Sequence, residues 1–390
     1  MKTLVHIPWS LQPGFIGGTE RFAIDLTKGL RKQGNDATIV CSNLEEQLII
    51  EGVPVFGRIP AQYRDKVKNY GAADEHFFRN EVLRGSEPGF CERMSAYVAQ
   101  QIEGFDFDII HFNNMIGAAK LPPALLRRSI VSVHDCPEEL TNYWKMPYET
   151  IRRAVDQNGE LVQAGALVAS TQHYAARFSA DLNFTFAVIP LGVQPSAVTQ
   201  SQRNPSEPPT ILLPARFDVN QKGQDIAVRA LSMLKAWNVP ARMILSGYQP
   251  ETYARDKKMI DTLIAECGAE EEITITRFER RSDAYAAADI VVSPERFCTF
   301  GLSIAESLAE GIPTVLAPIP TYQEITKGAP HASFAVDHTP LAFANALRTV
   351  IRSGYLRDPV AAKQFQADHS FATTVNRYSD LYAAVLRRAQ

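Results

Sequence analysis

The chain has 390 residues, 45% of them hydrophobic and 21% charged, with a formal net charge of −3. That length holds two or three domains with cores of their own, and the weak acidity excludes bulk attraction to nucleic acid, so an anionic ligand has to be held by a local cluster of cations. Five widely spaced cysteines (Cys41, Cys91, Cys136, Cys267, Cys298) without a CxxC pair exclude a disulfide framework or a structural zinc site and fit a reducing compartment.

The opening KTLVHIP reads as a buried strand and not as a signal peptide, and no apolar run approaches the roughly 18 residues that span a bilayer. A cytoplasmic protein is expected, with peripheral membrane contact as the alternative. A glycine-rich loop, GFIGGTER (14–21), leads into the helical pattern TERFAIDLTKGLRKQG, with apolar Phe22, Ile24, Leu26 and Leu30 and a stop at Gly34. DATIVCS and PVFGRIP read as strands. Residues 60–95 interleave Tyr, Phe, Lys and Arg and are long for a βα connection. They read as a helical excursion, with an acceptor-facing flap or a membrane contact as the sharper alternative. FDIIHFN, SIVSVHD, ALVASTQ and FAVIPLGV are further β-branched runs. Strands alternating with helices imply βαβ units and a parallel sheet.

QPSAVTQSQRNPSEPPT, residues 194–210, has four prolines and no periodicity, and reads as an interdomain linker between residues 1–193 and 211–370. The second series runs PTILLPAR, GQDIAVRALSMLKAW, ARMILSGY, KMIDTLIAECG, ITITRF, DIVVSPE, GLSIAESLAEG and PTVLAP. An amphipathic helix, 371–390, closes the chain and suits packing on either domain. The expected architecture is α/β, two Rossmann-like domains whose parallel sheets face an interdomain cleft, the usual place for ligands of such sheets.

Several positions carry chemistry. Gly17 and Gly18 precede a helix start, where free N–H groups and the helix dipole favour an anion; a tight turn that needs glycine alone is the plainer reading. The loop lacks GxGxxG, which disfavours a dinucleotide site. Arg216, just past a strand, and Lys222, before a helix, suit a diphosphate, the first as a fork and the second as a point charge; a solvated surface pair is the alternative. His111 and His134 each end a strand of the first sheet. Asp135 points to the other face, so neither an HD dyad nor a metal pair is expected. Thr299, Phe300, Gly301 and Leu302 open a helix as a second anion cradle, and Glu306 lies one turn along it, within reach of a ligand hydroxyl.

Taken in order, GGTE, DIIHFN, SVHD, VIPLGV, LLPARFDVNQKGQD, LSGY, DAYAAADIVVSPE and FGLSIAESLAEGIPTV resemble the GT-B fold retaining nucleotide-sugar glycosyltransferases of family 4 over nearly the whole chain. The resemblance implies a donor diphosphate gripped by Arg216 and Lys222 and a ribose held by Glu306. Amides of Thr299 to Leu302 would meet sugar and phosphate, and Gly17 and Gly18 would lie under the phosphates. His134 would sit near the sugar hydroxyls, Gly247 on the donor side, and Glu20 and His111 on the acceptor side. It implies no cofactor and no metal, since Arg and Lys stabilise the leaving group instead. Partners would be a nucleotide sugar and a sugar, lipid or small-metabolite acceptor; base, donor sugar, acceptor and oligomeric state stay open.

One departure stands out. The family pairs two glutamates across seven residues, and here the first is Cys298, a poor acceptor as a neutral thiol. Glu295 is three residues too early, and an extended chain would hold it about 10 Å away. Either the donor sugar differs at that hydroxyl, another group substitutes, or catalysis is weak. The alternative functions are a carbohydrate- or nucleotide-binding protein of weak or lost activity, motivated by Cys298, and a disaccharide phosphorylase on the same fold.

Overall fold

The computed structural model describes residues 1–11, 17–85, 87–156, 159–194, 207–247, 250–278 and 281–389. The glycine-rich loop up to Ile16 and most of the proline-rich stretch 194–210 lie outside them. By contacts the chain divides into two units, Met1–Leu191 with Ala372–Gln390, and Gly192–Phe371.

In the first unit the β-branched runs become β1 (Lys2–His6), β2 (Asp36–Cys41), β3 (Gln47–Ile50), β4 (Val53–Gly57), β5 (Ile109–Phe112), β6 (Ser129–Val133), β7 (Ala166–Ala169) and β8 (Phe186–Val188). Their order across the sheet is β3-β4-β2-β1-β5-β6-β7-β8. All pairs are parallel except β3 with β4. Every residue of β5 and β6 is buried, as expected for strands covered on both faces. β3 has no counterpart among the strands expected from the sequence. It is an edge strand with Ile49 75% exposed, joined to β4 by a two-residue turn in which Glu51 and Gly52 both have positive φ.

The closing helix, Phe371–Ala389, packs on this first unit. Gly29 lets Val375 come close enough that a Cβ at the glycine would lie 2.4 Å from a valine methyl. Tyr378 and Tyr382 are fully buried from the same helix. The region 60–95 folds as short helical turns, among them Arg64–Lys68 and Phe78–Leu83, ahead of the helix Phe90–Ile102. Its aromatic rings turn inward: Phe77 lies 5.1 Å from Phe78, 6.0 Å from Tyr63 and 6.3 Å from Tyr97, centroid to centroid. Phe77 and Phe78 are completely buried, so the aromatic content that suggested a membrane contact serves the core. Among the described residues no helix is long and apolar enough to cross a membrane.

The second unit carries β9 (Thr210–Pro214), β10 (Arg242–Ser246), β11 (Ile273–Thr276), β12 (Ile290–Ser293), β13 (Thr314–Leu316) and β14 (Ala332–Phe334). They lie in the order β11-β10-β9-β12-β13-β14, all parallel. The order reverses direction at β9, with β10 on one side and β12 on the other. Loops that leave the carboxyl ends of two strands in opposite directions open a crevice there, where open α/β sheets bind ligands.

Candidate donor site

β9 and β12 deliver the chemistry of the second unit. Beyond β9 the chain passes Arg216 and reaches Asp218, which caps the short helix Val219–Lys222 by accepting from the Gln221 N–H at 3.1 Å. That turn aims the Lys222 ammonium at the Glu295 carboxylate, with which it forms an ion pair; the side chains are 17% and 4% exposed. Arg216 donates to Gln221 Oε1 at 2.6 Å, and Gln221 Nε2 donates to Glu295 Oε1 and to the Phe297 carbonyl, both at 3.2 Å. The two cations expected to grip a diphosphate therefore stand together, linked through one glutamine and one glutamate.

Beyond β12, residues 294–301 bend instead of extending, and only then does the helix Leu302–Ala309 begin. The extended geometry assumed for Glu295 and Cys298 therefore does not hold here. Glu295 and Cys298 come to neighbouring residues of one helix, Pro320–Ile325. The Tyr322 hydroxyl donates to Glu295 Oε2, and the neighbouring Thr321 hydroxyl donates to the Cys298 carbonyl at 2.7 Å. Burial pushes the Tyr322 hydroxyl well above its ordinary pKa, and the nearby Cys298 thiol and Glu295 carboxylate add to the effect, so it stays a donor. Gly301 has φ of +79°, and a Cβ there would lie 2.5 Å from the Tyr322 ring, so both backbone and space require glycine. Along the helix and beyond its first turn, Glu306 accepts from the Tyr285 hydroxyl at 2.8 Å, which orients its carboxylate. Thr299 and Phe300 are buried, so what this loop can offer a ligand is backbone. Gly247, with φ of +102°, ends β10 against the Ala215 carbonyl.

The remaining candidates lie in the first unit. Gly17 caps the helix Gly18–Lys32, and Glu20 in its first turn accepts from the Trp9 indole. His134 is half-buried, with Nε2 2.9 Å from Asn113 Oδ1 and its ring 5.1 Å from Phe22. Burial pushes its pKa down to about 4, so it is neutral at pH 7. His111 is completely buried. Nδ1 lies 2.6 Å from the Tyr382 hydroxyl and Nε2 2.7 Å from the Ser132 hydroxyl. Both ring nitrogens are committed inside the protein, which leaves none for the acceptor contact expected from its strand-end position.

Reading the sequence missed Gln221, Glu295, Tyr285 and Tyr322 as parts of this cluster. Glu295 had a visible signal, since it follows Ser-Pro directly after a strand, as Arg216 follows Pro-Ala. The tyrosines had none, because each arrives from a separate helix.

Residues 16–197 match the family model described as Glycosyltransferase Family 4, and residues 208–353 the one described as Glycosyl transferases group 1. A D-inositol 3-phosphate glycosyltransferase of Xylanimonas cellulosilytica is 28% identical over 261 residues, 60% of this chain and 61% of that protein. The match thus spans about three fifths of the relative's length. Among solved structures, sucrose-phosphate synthase from Thermosynechococcus elongatus covers 100% of both chains at 16% identity and a TM-score of 0.72. Anabaena HepE in complex with UDP-glucose covers 100% of both chains at 19% identity and a TM-score of 0.69. These structural likenesses establish the fold as GT-B, and with two family models matching in succession, the chain belongs to family 4 of the glycosyltransferases.

Proposed function

We propose that this chain moves a sugar from a nucleotide-diphosphate donor to an acceptor hydroxyl, retaining the anomeric configuration. The observation that carries the reading is the cation pair Arg216 and Lys222 beyond the carboxyl end of β9, linked through Glu295 beyond β12 and Tyr322 to the glycine-capped start of the helix Leu302–Ala309. Negative charge grows on the diphosphate as the bond from the sugar C1 to its phosphate oxygen breaks. A guanidinium fork, an ammonium and helix-start amides held in place stabilise that charge without reorganising, and no metal is needed for it. The acceptor oxygen bonds to C1 on the face the leaving group vacates, and its proton passes to a phosphate oxygen of the departing diphosphate. No enzymic nucleophile takes part. Glu306, oriented by Tyr285, accepts from the ribose hydroxyls.

The relatives suggest the partners. HepE holds UDP-glucose, and the Xylanimonas protein is named for D-inositol 3-phosphate, so a uridine donor and a polyol or sugar acceptor head the list for testing. A thermal-shift screen against UDP, GDP, ADP and dTDP should raise the melting temperature with one base above the rest, since a ligand at 100 times its Kd stabilises by about 2.7 kcal/mol. No shift with any of them contradicts the donor assignment.

Cys298 favours a second reading, a binding protein with weak turnover, because the site lacks one carboxylate toward the sugar. Nucleotide-sugar binding without any release of nucleoside diphosphate, with or without acceptors, would select it. On the first reading, Cys298→Glu changes the preference among donor sugars by about ten- to 150-fold, the range of one hydrogen bond to a charged group. Unchanged preference and rate in that variant would remove Cys298 from the specificity argument.

A further inference from the structure

Glu295 is a carboxylate that the donor assignment does not use, only 3% exposed and surrounded by donors. Removing such a charge from water is costly, and its partners must offset that cost. Those partners are not arbitrary. On Oε1 it takes the Lys222 ammonium and the Gln221 amide N–H; on Oε2 it takes the Tyr322 hydroxyl. The orientation of the Gln221 amide follows: its nitrogen must face the carboxylate and the Phe297 carbonyl, and its oxygen is left to receive Arg216. Tyr322 in turn fills the space over Gly301, at the start of the helix that would meet the phosphates.

Resting on the donor reading above, we infer that Glu295 is a positioning residue that sets Lys222 directly, Arg216 through Gln221, and the start of the Leu302–Ala309 helix through Tyr322, all relative to one diphosphate. The ammonium has three donors, so Lys222 keeps Glu295 while another N–H turns to a phosphate oxygen. The carboxylate also cancels one of the two positive charges in the resting site. It therefore works against ground-state binding of an anion while fixing the geometry that matters as charge develops on the leaving group. Binding and turnover are pulled in opposite directions, and a group that only stabilised the fold would not do that.

The test uses the full chain, UDP and GDP as binding probes, and donor hydrolysis of the corresponding sugars for turnover, so no acceptor need be known. Glu295→Gln keeps the shape and removes the charge. The expected result is a fall in kcat of tenfold or more, with a nucleoside diphosphate Kd that is unchanged or tighter. In a Lys222→Ala background the same substitution should lower kcat by a smaller factor than in the parent, because the part of its effect that passes through Lys222 is already gone. If Glu295→Gln does not fold, Tyr322→Phe, which keeps the ring over Gly301 and removes one bond to Glu295, should lower kcat severalfold at unchanged Kd. A kcat within twofold of the parent, or a Kd that weakens in step with kcat, overturns the proposal while leaving the donor site standing. A parent protein that binds none of the nucleotides overturns the donor reading and this inference with it.

Discussion

Arg216→Ala is expected to lower donor turnover at least a hundredfold while leaving the melting temperature nearly unchanged. The Arg216 side chain is 30% exposed, with Gln221 and, at 3.8 Å, Asp218 among its partners, and polar pairs at such a partly solvated position contribute little to stability. A lost preorganised donor to a developing oxyanion costs about 100- to 1,000-fold in kcat. Lys222→Ala should reduce turnover as severely but by two routes. It removes a donor to the diphosphate, and it leaves Glu295 buried without a counter-ion, which costs on the order of 3–5 kcal/mol of stability. Measuring kcat beside thermal unfolding separates the two variants. Near-parental turnover in Arg216→Ala would show that the diphosphate is held elsewhere.

The second large effect is acid loss of stability in the first unit, centred on its buried histidines. Burial lowers His6 from 6.5 to about 4, against a hydrogen bond to the Gln101 amide oxygen that raises it, and lowers His111 to about 3, with His134 nearby adding to the shift. A ring kept neutral in the fold contributes its full stability above the unfolded pKa of 6.5. As pH falls below that value the unfolded chain takes up a proton that the folded chain refuses, so stability drops until the folded pKa is reached. At roughly 1.4 kcal/mol per pKa unit, each of these two rings removes on the order of 3 kcal/mol between pH 6.5 and 4. His111→Gln, which can still bond Tyr382 or Ser132, should flatten the fall in unfolding free energy over pH 6.5 to 4.5 by up to one proton's worth. An identical slope in parent and variant would mean that His111 does not titrate as its burial requires.

Much of this molecule is legible in its sequence, for identifiable reasons. Strands such as Ile109–Phe112 and Ile290–Ser293 are mostly apolar and buried at every residue because parallel sheets are covered on both faces. Gln47–Ile50 escaped because an edge strand needs no such run, and its turn uses Glu-Gly where Asn-Gly or Asp-Gly would have announced it. Arg216 and Lys222 stood out because two cations in the connection between a strand end and the next long helix suit an anion there. Glu295 was set aside on the arithmetic of an extended chain, and the structure bends at that point. His111 looked available because its partner, Tyr382, lies 271 residues away on a helix whose packing no local pattern announces. Distant side chains that satisfy one another are what a linear reading misses, and they separate a histidine of the core from a histidine of a site.

A crystal structure of the chain with a bound nucleoside diphosphate decides whether Arg216 and Lys222 grip a donor diphosphate at the start of the Leu302–Ala309 helix. The expected result has phosphate oxygens within hydrogen-bond distance of the Arg216 guanidinium and the Lys222 ammonium, Lys222 still paired with Glu295, and the ribose on Glu306. A diphosphate bound away from both cations would contradict the account.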